Sequence, residues 1–199
     1  MAMVRASGCC VLVAMLALFA AAAPAARAAD SDVLVVGDSL AVGTLPYLPQ
    51  LLTDRTVVSD VKSGITTPEG MRLLRMSLRT VSPTTVVFSL GSNDGADPTR
   101  FANRLRRTLA LLPPSTCVVW STIIRPPRKG AYRGLNRVLH NFKKKDPRLV
   151  VVDWEHAVTG GAVSLPDGLH ADPDGYRYRS EMIANAVHAG CAARVALAG

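Results

Sequence analysis

The chain has 199 residues, a formal net charge of +8 and an aromatic content of 5%, enough for one ordinary domain with a real core. The basic excess favours anionic partners in general. However, no zinc-ligand spacing, RNA-binding signature or interleaving of aromatic and basic residues points to nucleic acid, so nucleic acid is not expected as a partner.

The front of the chain reads as a targeting segment. Arg5 precedes an unbroken apolar run, Cys9 to Ala23, of 15 residues, then Pro24 and Ala25-Ala26-Arg27-Ala28. The run is shorter than the roughly 20 residues a spanning helix needs. Small residues at Ala26 and Ala28 predict a signal peptide over 1–28, cleaved after Ala28. Residues 29–199 would then form one exported domain, secreted or held in the cell envelope, with no stable membrane insertion. Removing Arg5 and Arg27 leaves 21 basic and 15 acidic side chains, 21 − 15 = +6. Cys9 and Cys10 would leave with the segment. Cys117 and Cys191 remain, and in an oxidising compartment they can form one disulfide or stay as two buried thiols.

From there strands and helices alternate. Strands are predicted at Asp32–Val36, Arg55–Val61, Thr85–Leu90, Cys117–Ile124 and Leu149–Asp153. Helices are predicted over Thr44–Leu52, interrupted by Pro46 and Pro49, over Thr67–Val81, and over Pro98–Leu112, where Phe101, Leu105, Leu109 and Leu112 share one face. Two more are expected over Tyr132–Lys144 and from Asp172 to about His188. Asp97 before Pro98 is a helix cap with proline at the first helical position. Arg72, Arg75, Arg79, Arg100, Arg104, Arg106 and Arg107 read as solvated helix faces. Alternation of this kind implies βαβ units and a five-stranded parallel sheet covered on both sides.

Four blocks carry the chemistry. Gly37-Asp38-Ser39-Leu40 follows the first strand at once, which puts Ser39 at the carboxyl end of the sheet, where α/β proteins build their sites. Asp38 reads as a turn or cap residue. Gly64 follows the second strand, and Asn93, in Gly91-Ser92-Asn93-Asp94, follows the third. A backbone N–H from Gly64 and an amide from Asn93 are the donor types that suit a tetrahedral oxyanion, with the N–H of Ser39 itself as a third. In Asp167-Gly168-Leu169-His170, the imidazole can take a serine proton while the carboxylate accepts the other ring N–H. His140, His156 and His188 have no such partner and read as surface or packing residues. No ligand cluster calls for a metal or another cofactor.

These blocks, in this order, resemble those of the SGNH (GDSL) hydrolase superfamily over nearly the whole mature chain. The resemblance implies a flavodoxin-like three-layer α/β/α sandwich. It also implies a nucleophile at Ser39, a base at His170 oriented by Asp167, and an oxyanion hole from Ser39, Gly64 and Asn93. Val151-Val152-Asp153-Trp154, the Asp167 block and Gly175-Tyr176 are further similar to the extracytoplasmic SGNH domain of cell-wall O-acetyltransferases, although the membrane acyltransferase part of those proteins has no counterpart here. The expected activity is hydrolysis of carboxylic esters, on a small acyl ester or an acylated glycan. Acyl transfer to a glycan hydroxyl, or a non-catalytic glycan-binding module, are the alternatives.

Overall fold

Five short β-branched runs make the centre of the molecule. The structure, a computed structural model, describes residues 33–191. The expected signal segment over 1–28 and its cleavage site lie outside the described residues. The strands are β1 (Val33–Gly37), β2 (Val57–Val61), β3 (Thr85–Ser89), β4 (Cys117–Ser121) and β5 (Leu149–Val152). They pair in the order β2-β1-β3-β4-β5, every pair parallel, with Val36 beside Phe88 and Phe88 beside Trp120. That order is the flavodoxin-like one, with its switch point between β1 and β3. Residues of β1, β3 and β4 are buried throughout. This is why those strands read as continuous apolar runs rather than alternating ones.

The period of two along each strand divides the core. Leu34, Val36, Val86, Phe88, Val118 and Trp120 face one layer, where Leu74, Phe101, Leu105, Leu135 and Leu139 meet them. These come from α3 (Thr67–Ser77), α4 (Pro98–Leu109) and α5 (Arg133–Lys143). Val33, Val35, Val87 and Val119 face the other layer, packing on Ala41, Leu48, Ile183 and Val187. That layer contains α1 (Ser39–Thr44), α2 (Leu48–Leu51) and α7 (Pro173–Asn185), the last continuing as a π-turn over Ala186–Gly190. Cys117, at the start of β4, is bonded to Cys191 just beyond that turn, across 74 residues of sequence. No helix among the described residues is long and apolar enough to cross a membrane.

The boundaries differ from expectation in informative places. The single helix expected over Thr44–Leu52 is two, and the first begins at Ser39 itself. Asp38 caps it, its carboxylate accepting the Leu40 N–H at 3.0 Å. Gly43 is needed inside α1 because the Tyr176 ring lies where a side chain would start; a Cβ there would sit 2.2 Å from the ring. Helix α3 stops at Ser77 rather than Val81, and α4 at Leu109 rather than Leu112. A sixth helix, α6 (Trp154–Thr159), and a 3-10 turn at Pro127–Lys129 have no counterpart among the expected elements. Arg72, Arg75, Arg100, Arg106 and Arg107 are exposed on α3 and α4, as a solvated face requires. Arg104 differs: it is half-buried, and its Nη1 pairs with the buried Asp94 carboxylate at 3.0 Å.

Candidate active site

The carboxyl ends of β1, β2 and β3 open on one rim, and the loop after α6 reaches the same rim from far along the chain. Ser39 is the first residue of α1, presented by the turn that leaves β1. Its Oγ lies 2.9 Å from His170 Nε2. On the other side of the ring, Nδ1 lies 2.8 Å from Asp167 Oδ2. A serine, an imidazole and a carboxylate thus form one continuous chain of contacts, 131 residues apart in sequence at its serine end.

The Asp167 loop is built to hold that ring. Asp167 Oδ1 accepts the main-chain N–H of Leu169 at 2.9 Å and of His170 at 2.7 Å, an Asx-type turn. Gly168 has φ +76°, and a Cβ there would lie 3.1 Å from Pro126, so glycine serves both the backbone and the packing. The His170 N–H holds the Asp167 carboxyl well below the usual carboxylate range; the ring and the Leu169 N–H add to the effect. Asp167 is therefore an anion across the working pH range and can only accept. A neutral imidazole must then carry its proton on Nδ1 and offer the Nε2 lone pair to Ser39.

Asp38 lies behind the nucleophile, fully buried. Burial pushes its carboxyl up to about 6, against the pull of the Leu40 N–H and of the charges on Arg179, His170 and Lys129. Its Oδ2 meets Asn93 Nδ2 at 3.3 Å, and the same amide nitrogen donates to the Ile65 carbonyl at 3.1 Å. Asn93 is thereby tied to the turn that carries Ser39. Gly64 follows β2 at φ +78°, exposed, with open space where a Cβ would sit. Lys62, two residues earlier, donates its N–H to the Gly37 carbonyl at 3.0 Å, so the segment carrying Gly64 leaves the sheet beside the Ser39 turn.

Three charged residues around this site carry no sequence signal that singled them out. Arg125 is buried and donates to five main-chain carbonyls. Those of Gly91, Ser92 and Asp94 belong to the Asn93 loop, and those of Gly130 and Ala131 to the loop after β4. Lys129 Nζ donates to Asn93 Oδ1 at 2.8 Å. Arg179 of α7 is buried; it donates to Ser89 Oγ at 2.9 Å and its guanidinium carbon lies 4.7 Å from the centre of the Trp154 ring. Arg125 and Lys129 lie just after the strand expected over Cys117–Ile124, and only the fold brings the carbonyls that pull Arg125 inside. His140 and His156 take no part in the site. His188 lies across the molecule, 3.5 Å from the Leu51 carbonyl.

Comparison with known proteins agrees with this architecture. Residues 35–178 match the model of the GDSL-like lipase/acylhydrolase family. Over 179 residues the chain is 29% identical to an arylesterase from Vibrio mimicus, covering 80% of this chain and 90% of that protein. Among solved structures, the C-terminal catalytic domain of peptidoglycan O-acetyltransferase A from Streptococcus pneumoniae superposes with a TM-score of 0.63 at 20% identity, covering 80% of this chain and 94% of that one. A lipase/acylhydrolase from Enterococcus faecalis superposes with a TM-score of 0.64 at 22% identity, covering 78% and 94%. At these identities the structural likeness is one of fold. The family match spans the Ser39 and Asn93 blocks and the His170 loop, and with it the chain belongs to the GDSL-like lipase/acylhydrolase family.

Proposed function

We propose that the protein is an exported serine esterase that cleaves carboxylic esters through an acyl-enzyme on Ser39. The observation that carries this reading is the 2.9 Å approach of Ser39 Oγ to His170 Nε2, with Asp167 Oδ2 2.8 Å from the far ring nitrogen.

In this mechanism Ser39 Oγ attacks the ester carbonyl carbon as its proton passes to His170 Nε2. Asp167, anionic and tied to its own loop, stabilises the imidazolium without taking the proton. The carbonyl oxygen becomes an oxyanion, met by the N–H groups of Ser39 and Gly64 and by Asn93 Nδ2. The tetrahedral species collapses: the carbon–oxygen bond to the alcohol breaks, and His170 returns the proton to the departing oxygen. Water then repeats the sequence on the acyl-Ser39 ester, giving the acid and free serine.

A sugar hydroxyl entering in place of water would make the same intermediate an acyl donor, and the fold shared with a peptidoglycan O-acetyltransferase domain keeps that second reading open. Export rests on the sequence of residues 1–28. One experiment separates the outcomes. The mature protein and its Ser39→Ala variant are incubated with acetyl and longer-chain nitrophenyl esters, with and without a glycan acceptor, while free acid and acylated sugar are both followed. Acid release that ignores the acceptor supports hydrolysis, and acylated sugar supports transfer. Turnover surviving in Ser39→Ala would remove the mechanism altogether.

A further inference from the structure

Asn93 has one acceptor and two donors on its amide, and all three have partners. Nδ2 faces the Ile65 carbonyl at 3.1 Å and the Asp38 carboxyl at 3.3 Å, and Oδ1 faces Lys129 Nζ at 2.8 Å. Turning the amide over would set its NH2 against an ammonium and its oxygen against a carbonyl and a carboxyl. The three partners together therefore permit one orientation, with Nδ2 toward the Ser39 turn. Of these contacts the 3.3 Å bond to Asp38 is the longest.

Lys129 is held where it can do this. It ends the 3-10 turn Pro127–Lys129, whose bonds run from the Lys129 N–H to the Pro126 carbonyl and from the Gly130 N–H to the Pro127 carbonyl, both 2.9 Å. Beneath the turn, Arg125 binds carbonyls of both the Gly91–Asp94 and the Gly130–Ala131 segments. The loop that carries Lys129 and the loop that carries Asn93 are thus stapled by one buried guanidinium. Lys129 is itself half-buried, so its contact is not an ordinary surface bond in full solvent.

We propose that Lys129 is a positioning residue of the oxyanion site, acting through Asn93. Its ammonium locks the amide orientation and draws electron density toward Oδ1, which strengthens the N–H groups on Nδ2 as donors. Negative charge that develops on the ester oxygen is then opposed by a hydrogen-bond donor backed by a full cation, and the arrangement is in place before the reaction starts. The inference rests on the reading of Asn93 as an oxyanion donor. It also makes a distinction: a lysine at the rim could instead bind an anionic group of the substrate directly, in which case it would act on KM and without regard to Asn93.

A double-mutant cycle on an uncharged acetyl ester tests it, using Lys129→Met, Asn93→Ala and the pair, with the thermal midpoint of each as a folding control. Lys129→Met is expected to lower kcat by about tenfold, less than the hundredfold or more expected for loss of the donor itself, with KM changed less than about twofold. In the Asn93→Ala background the same change is expected to cost less than about twofold, because the residue it acts through is gone. Lys129→Gln, which can donate to Oδ1 without a charge, is expected to recover only part of the loss and keeps the test open should the methionine variant melt early. Unchanged kcat in both single Lys129 variants, an effect confined to KM, or the same loss with and without Asn93 would each overturn the assignment. Ser39→Ala in the same assay separates the two proposals. Turnover surviving there sinks the acyl-enzyme reading, whereas full turnover in the Lys129 variants beside an inactive Ser39→Ala sinks only the role of Lys129.

Discussion

Asp167 holds His170 at two places at once: Oδ1 accepts its main-chain N–H at 2.7 Å and Oδ2 meets its ring Nδ1 at 2.8 Å. One carboxylate therefore fixes both where the residue sits and which ring nitrogen carries the proton. Asp167→Asn can keep an oxygen toward the main chain but then turns an NH2 toward Nδ1, which favours the wrong tautomer. A fall in kcat of about a thousandfold or more is expected, with KM little changed. The depressed carboxyl also fixes the sign of its pH effect: it contributes stability above the unfolded value and loses it only as pH falls through the still lower folded one. No activity limb in the neutral range should belong to Asp167. Steady-state rates across pH for wild type, Asp167→Asn and His170→Ala test this; an unchanged profile in His170→Ala would move the base elsewhere.

Asp38 shifts the other way, its carboxyl pushed up to about 6 by burial. A carboxyl raised on folding favours the protonated native state, so it costs stability as pH rises from about 4 to about 6 and the cost is constant above that. The size is about 2–3 kcal/mol at most. Asp38→Asn keeps an oxygen for the Leu40 N–H and removes the ionisation. Thermal midpoints measured from pH 4 to 8 are expected to diverge, the variant gaining on wild type as pH rises from about 4 to about 6 and keeping a constant gain above that. Parallel curves would show that Asp38 ionises normally.

The Cys117–Cys191 bond closes a loop across a sequence separation of 74 residues, from the start of β4 to the end of the π-turn after α7. A loop of that length stabilises by about 4 kcal/mol in the chain-entropy account, within the usual 2–5. Cys117→Ser with Cys191→Ser should lower the denaturant midpoint accordingly while leaving kcat close to wild type at low temperature, because the bond is remote from Ser39. Reductant should shift the wild-type midpoint and leave that of the double variant alone. No shift in either would mean that packing by Ile183 and Val187 already holds the end of α7 in place.

The sheet was legible because β1, β3 and β4 are buried on both faces, and burial of that kind writes itself as uninterrupted Val, Leu and Phe. Ser39, Asn93, Asp167 and His170 were legible for a different reason: each sits in a short local motif after a strand or in a turn. What was missed depends on distant parts of the chain or on elements too short to show a period. Helix α1 hides behind Gly43, a poor helix residue that is there because Tyr176 packs on it. Helix α6 has six residues, too few to show a helical period. Arg125 and Lys129 lie just after the strand expected over Cys117–Ile124, and only carbonyls more than 30 residues away draw them in. Nothing local distinguishes the buried Arg179 from its exposed neighbour Arg177.

The proposed mechanism requires that Ser39 becomes covalently acylated. It is tested most directly by treating the protein with a sulfonyl fluoride, following loss of esterase activity, and mapping the added mass by peptide mass spectrometry. One equivalent on Ser39, appearing in step with loss of activity and absent from Ser39→Ala and greatly slowed in His170→Ala, is the predicted result. An adduct on another residue, or full ester hydrolysis by protein quantitatively modified at Ser39, would contradict it.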